Sequence, residues 1–159
     1  MRDCTPRHPA LSDAHCSSVS NEAACAILTT QEIARTLGMK DLVTVKSIQL
    51  LISSGIGSQI NVWDGSHVRN TRNAVVRANK EAGITDPTTQ LGLIEVHDCF
   101  SVTELATMGD LFIFEEGRAV KDVLDGFYDA GGQVPCQIAA GLNCFGHPIA
   151  AISIPGLGS

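Results

Sequence analysis

The stretch LGLIEVHDCFSVTELATMGDLF, residues 91–112, decides the fold because it joins two kinds of pattern without a break. Its first part is a short run of Leu, Ile and Val, which is typical of a buried strand. A helical pattern follows, and Ser101 with Glu104 matches the Ser-x-x-Glu capping box of a helix N-terminus. The stretch therefore predicts a strand that leads directly into a helix, with His97 at the junction.

The chain on either side of this stretch continues the alternation. Residues 42–53 carry β-branched residues in an alternating pattern and predict another strand, preceded by a short helix that Thr30 caps and that ends at Gly38. Residues 71–83 predict a helix, and Pro87 marks a turn after it. One face of that helix holds small apolar residues that allow close packing, namely Ala74, Val75, Ala78 and Ala82. Alternating strands and helices predict an α/β fold in layers.

Composition restricts the class of protein. With 159 residues, 44% apolar and 18% charged, the chain suits one globular domain. A net charge of −6 without a basic stripe argues against a nucleic-acid partner. No apolar run reaches the roughly 18 residues of a membrane span. The N-terminus has no signal-peptide core and the C-terminus is not Ser-Lys-Leu, so we expect an intracellular protein of unspecified compartment.

The six cysteines follow an irregular spacing with no Cys-x-x-Cys pair, which predicts neither a zinc framework nor a disulfide scaffold. A metal site built from the N-terminal Cys4, His8, His15 and Cys16 lacks usable ligand spacing, and no metal is predicted. Cys99 or Cys144 could pair with a histidine as a nucleophile. Burial as a small apolar side chain is the alternative for both.

Two histidines stand where an active site needs them. His97 lies at the carboxyl end of a predicted strand, where α/β sheets bind ligands, and His147 lies in a Gly-His-Pro turn among small residues. Two histidine donors that converge on one carbonyl oxygen can stabilise the negative charge that develops there. The alternative is a structural His97–Asp98 pair whose imidazole is satisfied by the backbone.

Two quoted motifs carry a family resemblance. IEVHDCFSVTEL, residues 94–105, followed by AAGLNCFGHPIAA, residues 139–151, resembles the C-terminal half of a thiolase, in the branch related to sterol carrier protein 2 and lipid-transfer thiolases. CSSVSNEAACAILTT, residues 16–30, resembles the strand that closes the first half of that fold. The resemblance implies a partial thiolase fold, an incomplete C-terminal half of the layered αβαβα architecture. We expect this domain over residues 16–151, with loop or disorder in 1–15 and a divergent tail in 152–159.

The resemblance also implies roles for individual residues. His97 would stand near the thioester or 3-keto oxygen, and His147 would activate a nucleophilic cysteine and donate to the oxyanion hole. Asp98 completes the first motif, and Gly141, Gly146 and Pro148 would shape the loop that bears His147. The implied reaction is thiolysis of a 3-ketoacyl-CoA, or the reverse Claisen condensation, through an acyl-cysteine. Coenzyme A thioesters would be substrates, with no permanently bound cofactor.

Departures from the family pattern limit this expectation. The acylated cysteine belongs to the first half of the family's fold, and no Cys-x-Gly acid/base motif follows Gly-His-Pro here. We therefore expect a fragment that is not competent alone. Two alternatives stay open: a non-catalytic interaction module, and a retro-aldolase-type relative that acts on steroid side-chain CoA thioesters with a small partner subunit. Uncovered apolar faces favour association, either as a homo-oligomer or with a complete thiolase.

Overall fold

The computed structural model describes residues 6–8, 11–52, 67–138 and 141–148. The predicted divergent tail of 152–159 lies outside them. At the N-terminus, β1 (Pro6–His8) pairs antiparallel with β2 (Leu11–Ser12), and a 3-10 turn covers Asp13–His15. This small hairpin occupies part of the segment for which loop or disorder was predicted.

Helix α1 (Gln31–Thr36) confirms the sequence prediction at both ends. The Thr30 side chain accepts a hydrogen bond from the Ile33 amide at 3.3 Å, which satisfies one of the free N–H groups of the first turn. Gly38 adopts a left-handed φ of 75° just beyond the helix, where a residue without Cβ avoids a steric penalty. Local capping residues therefore define both ends of this helix.

Two helices follow after residue 67. Helix α2 (Arg69–Ala82) contains the predicted Ala-rich face and ends at Gly83, which has a left-handed φ of 77°. Helix α3 (Pro87–Gln90) begins at the proline that was expected to mark a turn. Proline suits the first position of a helix because its missing N–H would be unpaired there in any case.

The hydrophobic core is built from residues 91–112 and the segment that follows them. Helix α4 (Ser101–Asp110) and helix α5 (Ala119–Leu124) pack with the loops that connect them. A cluster of five buried side chains forms the centre, namely Ile94, Met108, Ile113, Tyr128 and Val134. These five side chains come from α4 and from the non-helical segments around α4 and α5.

Buried carboxylates tie the helices together. Asp110, at the end of α4, accepts hydrogen bonds at 2.6 Å from the Val68 amide and from Arg72 Nε. Asp122 in α5 forms an ion pair with Arg118 at 3.2 Å. The Arg72–Asp110 contact fixes the start of α2 against α4, because a buried carboxylate requires partners.

Both strand predictions are wrong for the described residues. Residues 42–52 form no ladder, and their alternating apolar side chains point into solvent; Val43 is 89% exposed and Leu50 83%. A β-strand needs a neighbouring strand to pair its backbone, and no described segment provides one here.

The segment before His97 fails as a strand for a different reason. Ile94 forms a single parallel bridge with Cys136, donating its amide to the Pro135 carbonyl at 2.9 Å. Gln137 then takes a left-handed φ of 56°, which turns its backbone out of register. Its side-chain amide replaces the lost ladder, because Nε2 donates to the Val96 carbonyl at 2.7 Å and Oε1 accepts the Val96 amide at 3.4 Å.

The capping-box prediction is also wrong. Phe100 is the residue that precedes α4, and Ser101 is already helical, with no side-chain cap at this end. The expected α/β layering has little strand to support it, since the described residues contain only the β1–β2 sheet. None of the described helices combines the length and the apolar character needed to cross a bilayer.

Candidate functional site

Three side chains that sequence analysis singled out separately lie together. The rings of His97 and His147 meet edge to face, with centroids 5.1 Å apart and planes at 85°. Cys99 completes the group, because its Sγ and one nitrogen of each imidazole all lie within 4.8 Å of one another. His97 is exposed, whereas Cys99 and His147 are half-buried. We call these three residues the His-Cys-His cluster.

An N-terminal segment, residues 16–20, holds the two histidine-bearing segments beside each other. On one side Ser17 donates to the Cys99 carbonyl from its amide at 3.0 Å and from its hydroxyl at 3.1 Å. On the other side the His147 amide donates to the Ser18 carbonyl at 2.8 Å, and the Ser20 amide donates to the His147 carbonyl at 3.4 Å. The distance between His97 and His147 is therefore set by backbone bonds to one intervening segment.

Asp98 anchors the loop that carries His147. Its side chain is 4% exposed and accepts the Leu142 amide at 2.7 Å and the Asn143 amide at 3.3 Å. These are free N–H groups at the start of the short helix α6 (Leu142–Phe145). In turn, Asn143 Nδ2 donates a hydrogen bond to the Asp98 carbonyl at 2.9 Å. Asp98 therefore connects the motif of His97 to the start of α6.

Two glycines allow the close approaches that this arrangement needs. A Cβ at Gly141 would lie 2.8 Å from Asp98 Oδ2, and a Cβ at Gly146 would lie 2.5 Å from Ser20 Oγ. Gly146 also has a φ of 109°, which L side chains rarely adopt. Pro148, the third predicted loop residue, is buried. The loop 141–148 is thus pressed against both neighbouring segments, and larger residues would separate them.

His147 presents a ring nitrogen with unused hydrogen-bonding capacity. Its Nδ1 is buried and has no hydrogen-bond partner among the described residues. A buried polar atom left unpaired costs roughly 1–3 kcal/mol, so such an atom commonly marks a place where a ligand binds. Together with the exposed His97, it offers a carbonyl oxygen or a metal ion two nitrogens from separate segments.

The remaining titratable groups divide into structural ones and ones near the site. Burial, with a smaller contribution from Asp98, raises the pKa of Glu104. Burial raises the pKa of Cys136 to about 12, which keeps this core thiol protonated and unreactive. Cys144 is exposed in α6 and lies outside the His-Cys-His cluster. Of the two cysteines proposed as nucleophile candidates, Cys99 is the one that lies in a cluster with two histidines among the described residues.

Of the four N-terminal residues considered as metal ligands, His15 and Cys16 have described side chains. His15 bonds to the Ser12 amide through Nδ1 at 3.0 Å, and Cys16 donates to the Ser12 carbonyl at 3.5 Å. The five cysteines within the described part of the chain are free of disulfides, namely Cys16, Cys25, Cys99, Cys136 and Cys144. The contacts of His15 and Cys16 with Ser12 are therefore local.

Sequence reasoning missed the organising role of residues 16–20, and it left open whether Cys99 or Cys144 lies beside a histidine. The first depends on backbone pairing between segments far apart in the chain, and no side-chain pattern encodes it. The second had a signal, since Cys99 lies two residues after His97 in an extended motif and alternate residues of such a motif share a direction.

Comparison with known proteins adds a family model and several curated relatives. Residues 53–155 match a model described as thiolase C-terminal domain-like. An acetyl-CoA acetyltransferase from Methanothermobacter thermautotrophicus is 32% identical over 139 residues, which cover 87% of this chain and 35% of the relative. Sterol carrier protein 2 from Bos taurus is 26% identical over 145 residues, 87% of this chain and 26% of the relative.

A third relative is named for a different coenzyme A thioester. Benzoylsuccinyl-CoA thiolase subunit BbsB from Thauera aromatica is 24% identical over 136 residues, covering 86% of this chain and 34% of the relative. The chain thus spans only about a quarter to a third of the length of these relatives.

Proposed function

Because the chain belongs to the thiolase family, we propose that it supplies the histidine-bearing part of an acyl-CoA acyltransferase. In this proposal His97 and His147 donate hydrogen bonds to the carbonyl oxygen of a coenzyme A thioester or to the 3-keto oxygen. The fold at the level of the family is a thiolase C-terminal-like domain, and the relatives' names link this domain to acyl-CoA chemistry.

The observation that carries the proposal is the convergence of the two imidazoles. Their centroids lie 5.1 Å apart, and each ring is positioned by a different backbone segment. A carbonyl oxygen between them can accept two N–H donors, and the donors do not need to reorganise as negative charge develops. The removal of one donor from an oxyanion site typically lowers kcat by about 100- to 1,000-fold.

The covalent step requires a nucleophile from elsewhere. The family resemblance assigns the acylated cysteine to the first half of the fold, and the chain covers about a third of the acetyltransferase relative. Under the proposal His147 removes the proton of that cysteine, and the cysteine sulfur attacks the thioester carbon while the oxyanion forms between the two rings. The carbonyl then re-forms as the carbon–sulfur bond to coenzyme A breaks, and the coenzyme A thiolate leaves with the proton held by His147, so that an acyl-cysteine remains. The chain alone therefore should bind and polarise a thioester without turnover.

The experiment is a carbon-13 NMR titration with acetyl-CoA labelled at the carbonyl carbon. Binding between two imidazole donors should move the carbonyl resonance downfield, because hydrogen bonds withdraw electron density from that carbon. The shift should disappear in His97→Ala and in His147→Ala. The matched control is His15→Ala, which removes a histidine bonded within its own turn and should keep the shift. No shift in the unaltered chain, or an equal shift in all three variants, would overturn the proposal.

A second function, as an interaction module, is favoured by the exposed segment 42–52. Five large apolar side chains point outward there, namely Val43, Val45, Ile48, Leu50 and Ile52. Their alternation on a backbone without a ladder suits pairing with a strand of another polypeptide. Under this function the segment drives self-association, and acyl-CoA binding is secondary.

Sedimentation velocity over a range of protein concentrations tests the module. Val45→Lys and Ile48→Lys should shift the chain toward the monomer, because each replaces an apolar contact with a charge. Thr44→Lys is the control, since Thr44 is an exposed polar residue of the same segment. If the control dissociates the protein as strongly as the two apolar variants, net charge rather than an apolar interface governs association.

A further inference from the structure

The His-Cys-His cluster has the donor set of a metal site. It combines two imidazole nitrogens with one thiol sulfur, all within 4.8 Å of one another. Imidazole and thiolate are ligands that zinc prefers, whereas calcium and magnesium take oxygen ligands. We propose that His97, Cys99 and His147 bind one Zn²⁺ ion, with a fourth position left to water.

The spacing needs only a modest contraction. In tetrahedral zinc sites the metal lies about 2.0–2.1 Å from nitrogen and about 2.3 Å from sulfur, so neighbouring ligand atoms are roughly 3.5 Å apart. The ligand atoms here spread over at most 4.8 Å. His97 is exposed, and rotation of its side chain can close the difference while the backbone bonds of Cys99 and His147 remain.

The present partners of the ligands favour metal binding independently of the spacing. Nδ1 of His147 is buried and unpaired among the described residues, so its coordination would remove an existing cost. Among the described residues the hydrogen bond recorded for the Cys99 thiol is a weak one, 3.8 Å to Thr103 Oγ1. When the metal binds, the thiol proton passes to solvent as the metal–sulfur bond forms, and the Thr103 hydroxyl can then donate to the thiolate. Such outer hydrogen bonds typically strengthen a metal site.

The consequence is competition between metal and carbonyl. A zinc ion on His97 and His147 occupies the nitrogens that would otherwise donate to an oxygen, and so the metal-bound chain should not polarise a thioester in that way. Three protein ligands and an open position also leave the ion accessible to chelators. Metal binding itself depends on the geometry of the cluster and requires neither a nucleophilic cysteine nor any thioester.

Titration of the full chain with Co²⁺ tests the site, because Co²⁺ takes tetrahedral zinc sites and reports its ligands by colour. We expect saturation at one equivalent, with a sulfur-to-cobalt charge-transfer band, and displacement of the band by Zn²⁺. Cys99→Ala should abolish the band and weaken Zn²⁺ binding by at least about 100-fold, since even outer partners are worth 10- to 100-fold. His97→Ala changes an exposed ligand, so it should weaken binding without unfolding the chain.

Cys144→Ser is the matched control, since Cys144 is exposed in the same loop as His147 but lies outside the cluster. It should keep the band and the affinity. No band with excess Co²⁺, a band that persists in Cys99→Ala, or a band lost in Cys144→Ser overturns the proposal. The carbonyl titration contains no metal, so failure of the acyltransferase proposal and failure of the zinc proposal are separate results.

Discussion

Replacement of Asp98 should loosen the loop that carries His147, and the structure gives the size of the effect. Asp98 accepts the Leu142 amide at 2.7 Å and the Asn143 amide at 3.3 Å from a side chain that is 4% exposed. A hydrogen bond to a charged group contributes about 1.5–3 kcal/mol, and the longer second bond contributes less. Asp98→Ala should therefore lower the free energy of unfolding by about 2–4 kcal/mol.

Asp98→Asn refines the test, because it keeps the shape and removes the charge. Its amide oxygen can still accept from Leu142, but its NH₂ group would face the Asn143 amide, donor against donor. We expect a loss of about 1–2 kcal/mol. Asp86→Asn is the matched control, since Asp86 caps the equally short helix α3 from an exposed position. Aspartate and asparagine are nearly equal as exposed caps, so the control should change by less than about 0.5 kcal/mol.

Equilibrium urea unfolding followed by circular dichroism measures these differences, and the proton resonances of the His147 ring report the local effect. The reasoning fails if Asp98→Asn and Asp86→Asn change stability equally. It also fails if Asp98→Ala leaves both the stability and the His147 resonances unchanged, because the loop would then be held by other contacts.

Three further predictions concern single positions. Gly146→Ala combines backbone strain with a steric clash and should lower the free energy of unfolding by about 2–4 kcal/mol. Gly38→Ala adds strain without a clash and should lower it by about 1–2 kcal/mol. Equal losses in urea unfolding would show that the clash at Gly146 does not contribute. The raised pKa of Glu104 means that its ionisation opposes folding, so Glu104→Gln should raise Tm at pH 7 but not at pH 3, where both states are protonated. Glu32→Gln, in the first turn of the exposed α1, should not raise Tm at pH 7, and a matching increase there would remove the role of burial. Gln137→Ala should cost about 1–2 kcal/mol through loss of two bonds to Val96; thermal melts that match the unaltered chain would refute this.

Local patterns predicted α1, α2 and α4, whereas α3 begins at a proline that was expected to mark a turn. Thr30 and Gly38 bound α1 as expected, and Gly83 ends α2, because capping depends on residues within one turn. The strands were not predictable in the same way. Residues 42–52 have strand composition, but a strand forms only beside another backbone, and composition does not specify the neighbour.

The site shows the same division. The motif around His97 and the Gly-His-Pro turn were recognisable as sequence, and the structure brings their histidines together. Residues 16–20, which connect them, act mainly through backbone amide and carbonyl groups that all residue types except proline possess, and the Ser17 hydroxyl adds one side-chain bond. The strand predicted before His97 could not be excluded from the sequence either. The left-handed backbone of Gln137 interrupts its pairing, and the apolar run before His97 gives no sign of this.

In the tripeptide His97–Asp98–Cys99, residues of the cluster alternate with a residue that anchors α6. The outer two residues reach the cluster, and the middle one reaches the amides of α6. Substitutions at the outer positions can therefore alter reactivity while the anchor stays intact, which makes them suitable for redesign. Insertion or deletion of one residue before this tripeptide would exchange the directions of its side chains. A carboxylate would then lie in the cluster and an imidazole at the start of α6. Length changes in this region should consequently be far less tolerated than changes of side chain.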